Sequence, residues 1–223
     1  MLVGTTITED TIKALYEDCE KTNPKKLYEY LAKEGLIKVS QGKFRDDVIS
    51  SVNGLKRGYG NGISTKICIL NATGQELKKL HEGSWHGRWY RGFDSSISNG
   101  QGSSILHIHS DSAAKGSSGY LVYRIQNLKL DVFIGWDTPY SGSNTFIVEI
   151  REENHWWEGG KESYMQNLVE QGWAIDIPND QQDFSTKLET TKFTAHVEGV
   201  IDQESSPMLL FTLSMDKFEY ESN

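Results

Sequence analysis

The sequence predicts a mainly β protein, an antiparallel β-sandwich preceded by helices. Four short apolar runs, at 105–108, 120–125, 130–136 and 145–150, alternate or nearly alternate and are rich in β-branched and aromatic residues. Clusters of Gly, Ser, Asn and Asp separate them, which is the composition of turns. Before residue 58 the apolar positions instead recur at helical spacing.

Taken in order, Thr8 followed by Glu9 and Asp10 reads as a capped helix start, with Ile12, Leu15, Tyr16 and Cys19 on one face. Pro24 opens a second short helix with Leu27, Tyr28 and Leu31 inward, and Gly35 is expected to close it. A third helix over 44–56 carries the stripe Phe44, Val48, Ile49, Val52 and Leu55, and the glycines of 58–62 end it. A hairpin is expected next, with strands 64–70 and 76–81 about the turn Asn71-Ala72-Thr73-Gly74. Residues 83–94 read as a Gly-rich aromatic loop, and the four apolar runs as one meander. A short helix over 161–170, an acidic loop over 176–185 and strands at 191–199 and 208–214 complete the chain. The expected organisation is a helical extension, 1–57, packed on a sandwich, 58–223, as one structural domain. The extension would cover a sheet edge.

Composition excludes several classes. A net charge of −8 argues against a nucleic-acid binder and against general attraction to anionic membranes. No run approaches the roughly 18 apolar residues of a membrane span, and the first residues lack a signal-peptide pattern. The two cysteines, Cys19 and Cys68, are therefore expected to be buried free thiols in a cytoplasmic protein, with the Asn71 sequon idle.

Trp85, His86, Trp89, Tyr90 and Phe93 crowd one loop, either as a binding lip or as a plug closing the sandwich. Trp156 and Trp157 are adjacent, so both cannot point inward from extended backbone. His107 and His109 lie two apart on a strand, but without a third ligand they read as a polar stripe and not a metal site. Asp176, Asp180 and Asp183 lack the spacing of a calcium loop, and Glu152 and Glu153 face opposite ways. There is no nucleophile elbow, phosphate loop or dinucleotide fingerprint, so neither an enzyme nor a cofactor is expected.

The segments Asn71-Ala72-Thr73-Gly74, Trp85-His86-Gly87, Asn99-Gly100-Gln101, Leu106-His107-Ile108-His109 and Gly116-Ser117-Ser118-Gly119 together resemble the plant jasmonate-induced proteins of about 23 kDa. That resemblance implies a stress-responsive plant protein. More distantly, the chain is similar to the actinoporins and fungal fruit-body lectins. The shared features are a helix before the first strand, the Asn71–Gly74 turn, Trp136-Asp137-Thr138-Pro139, Ser143-Asn144-Thr145-Phe146 and a late helix. The resemblance implies an actinoporin-like sandwich and a phosphocholine-type site. This chain departs from that site: Asp137 stands at a Ser position, Thr145-Phe146 replaces a Trp pair, and Leu168 and Val169 stand where Tyr is expected, leaving Tyr164.

The expectation is a non-enzymatic binding protein that recognises a glycan or small polar ligand. Its groove would be formed by Trp85, His86, Trp89, Tyr90, Trp136, Asp137, Tyr140, Trp156, Trp157 and Tyr164. The rivals are a membrane-active protein and an enzyme using Asp137, His86 or His155 as acid and base. A homo-oligomer is compatible with either.

Overall fold

The structure is a computed structural model in which residues 1–17, 24–110, 115–156, 162–174, 181–189, 194–202 and 205–216 are described. Cys19, Trp157, Asp176 and Asp180 lie outside them, as does the side chain of Asp183.

Thr8 caps α1 (Glu9–Leu15) through a reciprocal box in which Thr8 and Thr11 each accept the other's backbone N–H. Ile12 is buried, but Leu15 is 59% exposed, so the predicted inward face is shorter than its spacing suggested. α2 (Pro24–Val39) runs straight through Gly35. That glycine answers a close approach instead of a helix stop: a Cβ there would lie 2.4 Å from the Asn99 carboxamide, which donates to the Leu31 carbonyl. α3 (Gly42–Tyr59) buries Phe44, Val48, Val52 and Leu55 of the predicted stripe, leaves Ile49 half-buried, and extends past the expected ends.

The strands are β1 (Leu2–Val3), β2 (Ser64–Ala72), β3 (Leu77–His86), β4 (Arg88–Trp89), β5 (Ser96–Ile97), β6 (Gly102–Ile108), β7 (Ser117–Ile125), β8 (Leu130–Thr138), β9 (Thr145–Glu152), β10 (Trp173–Ala174), β11 (Gln181–Glu189), β12 (Thr194–Asp202) and β13 (Met208–Asp216). They form two sheets. The first runs β1-β6-β2-β13-β12-β11, with β4 also on β6; the second runs β10-β9-β8-β7-β3-β5. The sandwich core lies between them, with Ile67, Ile69 and Phe211 from the first sheet meeting Leu121, Ile134 and Trp136 from the second.

Several expectations change in the tertiary structure. β7, β8 and β9 are the meander, but the run at 105–108 sits in β6, antiparallel to β2 in the other sheet. Nor do β2 and β3 form a hairpin; each pairs within a different sheet. The Asn71 carboxamide makes the corner between them. Its N–H₂ donates to the Gln75 and Ile97 carbonyls, while its oxygen accepts from the Thr73 N–H and hydroxyl. Residues 83–94 begin as strand, through the end of β3 and then β4. β11 (Gln181–Glu189) begins inside the segment 176–185 that read as an acidic loop and runs past it, because an edge strand with one uncovered face carries polar residues.

The helices cover an outer face and not an edge. Val39, Phe44, Val48 and Val52 pack on Cys68, Leu70 and Leu210 of the first sheet. Cys68 is a buried free thiol, and burial pushes it up to about 12. α4 (Glu162–Glu170) lies on the outer face of the second sheet. No helix among the described residues is long and apolar enough to cross a membrane.

Candidate functional site

The period of two along β7 and β8 decides what the second sheet shows to the outside. Leu130, Val132, Ile134 and Trp136 face the core, so Phe133, Gly135 and Asp137 face out. On β7, Tyr120 and Val122 join the outer cluster, and β3 adds Trp85 at a bulge between Ser84 and His86. The result is a continuous row of rings. Centroids are 5.3 Å apart for Trp85–Tyr120, 6.0 Å for Tyr120–Phe133, 4.7 Å for Phe133–Trp156 and 6.4 Å for Trp156–Tyr164. Two glycines permit it: Tyr120 lies over Gly83 where a Cβ would sit 2.3 Å from the ring, and Val169 of α4 crowds Gly135 to the same degree.

Polar groups gather at one end of the row. Burial pushes the Asp137 carboxyl above the ordinary carboxylate range, and the Glu170 charge adds to this. The Ser118 hydroxyl, which donates to it, and the nearby His86 pull the other way. The indole N–H groups of Trp85 and Trp156 are covered and have no acceptor among the described residues. Tyr164 is 43% exposed at the far end, whereas Trp156 is only 2% exposed.

The ten residues expected to line one groove therefore separate. Trp85, His86, Asp137, Trp156 and Tyr164 share the outer face of the second sheet. Trp89 and Trp136 turn inward, 5.5 Å apart, with Trp89 also against Phe93. Tyr90 packs on Tyr59 beneath α3, across the first sheet. Tyr140 stands 67% exposed in the β8–β9 turn, and Trp157 lies outside the described residues. Sequence reasoning passed over Tyr120, Phe133 and Ser118. The signal was present: aromatic residues at the outward parity of two paired strands, with Tyr120 opposite Gly135 and Phe133 opposite Val122.

His107 and His109 do not come together. His107 is buried, with Ser84 Oγ at 2.8 Å from Nε2 and Ser117 Oγ at 2.8 Å from Nδ1; Ser117 is joined to the Thr65 hydroxyl, which in turn reaches Thr138. His109 instead faces Tyr59. A hydroxyl beside an imidazole is the geometry of nucleophile and base, but burial lowers His107 to about 3, too weak a base for that task near neutrality. The chain of hydroxyls instead ties the two sheets. Among the described residues no group of three or more His, Cys, Asp or Glu could hold a metal ion.

A family model described as Nakanori-like protein matches residues 3–201. The 23 kDa jasmonate-induced protein of Hordeum vulgare is 35% identical over 208 residues, 89% of this chain and 96% of that one. Among solved structures, the crystal structure of the lipid binding protein Nakanori superposes with a TM-score of 0.78 at 26% identity, covering 96% of this chain and 100% of that one.

Proposed function

Starting from a chain that belongs to the Nakanori-like family, we propose that it is a non-catalytic, stress-associated protein that binds the choline-type headgroup of a zwitterionic lipid on the outer face of the second sheet. The observation that carries this reading is the ring row Trp85–Tyr120–Phe133–Trp156–Tyr164, with the Asp137 carboxyl on the same outer face beside Ser118 and His86. Aromatic faces attract a quaternary ammonium, and a partly desolvated carboxylate beside them strengthens the attraction. Half-buried Trp85 and Tyr120 and exposed Tyr164 supply the open aromatic surface, with the buried Phe133 and Trp156 packed behind them. A net charge of −8 favours a neutral headgroup over an anionic one. Two names support the setting: the lipid binding protein Nakanori and the jasmonate-induced barley relative.

Flotation with vesicles of sphingomyelin, phosphatidylcholine, phosphatidylethanolamine or phosphatidylserine tests this, with a glycan array beside it. Binding to the two choline lipids, competed by soluble phosphocholine, is expected. Asp137→Asn and Trp85→Ala should each weaken it by about tenfold or more. Asp137 is held in an environment that raises its pKa, so its charge costs the native state stability above the ordinary carboxylate range. Asp137→Asn should therefore melt no lower than the parent at neutral pH, which separates lost binding from lost folding. No vesicle binding, or binding indifferent to both substitutions, would overturn the proposal. A hit confined to the array would move the ligand to a glycan.

A further inference from the structure

The outer face of the first sheet is only partly covered. α2 and α3 lie over β2, β6 and part of β13, while β12 and β11 continue past them. Where the α2–α3 corner meets those strands a groove of about 440 Å³ opens. The first turn of α3 brings Arg45 to it, and β12 brings Glu198. Among the described residues neither side chain has an ion-pair or hydrogen-bond partner, although Arg45 is half-buried. His196, two positions before Glu198 on the same strand, is already paired with Asp216 at 2.9 Å and does not neutralise it.

Opposite charges that line one cavity without meeting set up a field across it. A singly charged ligand satisfies one and leaves the other uncompensated; a ligand carrying the reverse pair satisfies both. The remaining lining suits a small molecule with a short carbon body. Ser40, Thr212 and Ser214 offer hydroxyls, and Leu36 and Val200 an apolar wall. We propose that this groove binds a small zwitterion, an α-amino acid with a short aliphatic side chain. Its carboxylate pairs with the Arg45 guanidinium, its ammonium with Glu198, and its side chain lies against Leu36 and Val200. The site is on the opposite outer face from the ring row and does not depend on it.

Isothermal titration of the full chain tests the assignment, with L-leucine, L-valine and glycine as probes. Isovalerate, isobutylamine and sorbitol serve as the anionic, cationic and neutral comparisons. Saturable binding of leucine and valine is expected, with isovalerate and isobutylamine about tenfold weaker or worse. Arg45→Gln and Glu198→Gln should each weaken leucine binding to a similar degree while leaving the melting temperature within a few degrees of the parent. Trp85→Ala should leave it unchanged. Absence of saturable binding by any amino acid would overturn the proposal. So would sorbitol binding as well as leucine, indifference to both charge substitutions, or loss of leucine binding in Trp85→Ala.

Discussion

His107 shows how far one buried side chain can set the behaviour of this molecule. Its ring lies between Trp89 and Trp136, at centroid distances of 4.7 and 5.1 Å, with hydroxyls on both nitrogens. Burial favours the neutral imidazole, so the pKa falls from 6.5 to about 3. A histidine depressed in the native state binds fewer protons there than in the unfolded chain throughout that interval. Its contribution is therefore complete above 6.5 and is lost as pH falls toward 3, with a slope approaching about 1.4 kcal/mol per unit. Carboxylates titrate in the lower part of the same window, so the difference between the parent and His107→Gln is the informative quantity. Denaturant unfolding across the window should give a visibly flatter pH dependence for the variant, even if its stability at neutral pH is lower. Equal slopes would mean that His107 is not the group responsible.

At the scale of elements, the segments that carry the family resemblance turn out to be joints. Asn71 holds the corner between β2 and β3; Asn99 joins that corner to α2, accepting from the Gly74 N–H and donating to Leu31. Gly116 lies where a Cβ would meet the Thr138 carbonyl at 1.8 Å. Gly74 combines a φ of +76° with a would-be Cβ only 3.0 Å from backbone atoms of Tyr28 and Ala32. Gly74→Ala is accordingly expected to cost about 2–3 kcal/mol, whereas Gly42→Ala, with open space around it, should be within about 0.5 kcal/mol of neutral. Thermal or urea unfolding of the two variants checks this, and equal effects would contradict the joint. The same elements mark where sequence stops being informative. Periodicity located α3, α4 and the β7–β9 meander because each buries one defined face. It could not place β2 and β3 in different sheets, since pairing partners depend on contacts far away in the chain. Trp89 and Trp136 were legible as aromatic, but only strand parity and the chain path at β4 decide that they point into the core. The outward row through Tyr120 and Phe133 required the register of β7 against β8.

For the whole molecule, the distribution of cover over the two outer faces fixes which parts of the chain can stand alone. The first sheet depends on the helices before residue 58. Val39, Phe44, Val48 and Val52 are buried against Cys68, Leu70, Ala72 and Leu210, and β1 pairs with β6 at Ser103 and Gly102. Burying those helix side chains is worth on the order of 6–12 kcal/mol by transfer, as large as the whole net stability of a typical domain. A chain starting at Gly58 would present that apolar face to water and leave the start of β6, at Gly102 and Ser103, without its β1 partner. We therefore expect residues 58–223 alone to lack a cooperative melt, to bind an apolar dye and to lose near-ultraviolet circular dichroism, while the full chain unfolds in one transition. The ring row lies on the other sheet, so vesicle binding should disappear with it only because the sandwich no longer holds β3, β7 and β8 in register. A truncated chain that melts cooperatively with native-like near-ultraviolet signal would show that the helices are an appendage, and would make residues 58–223 sufficient to carry the ligand face.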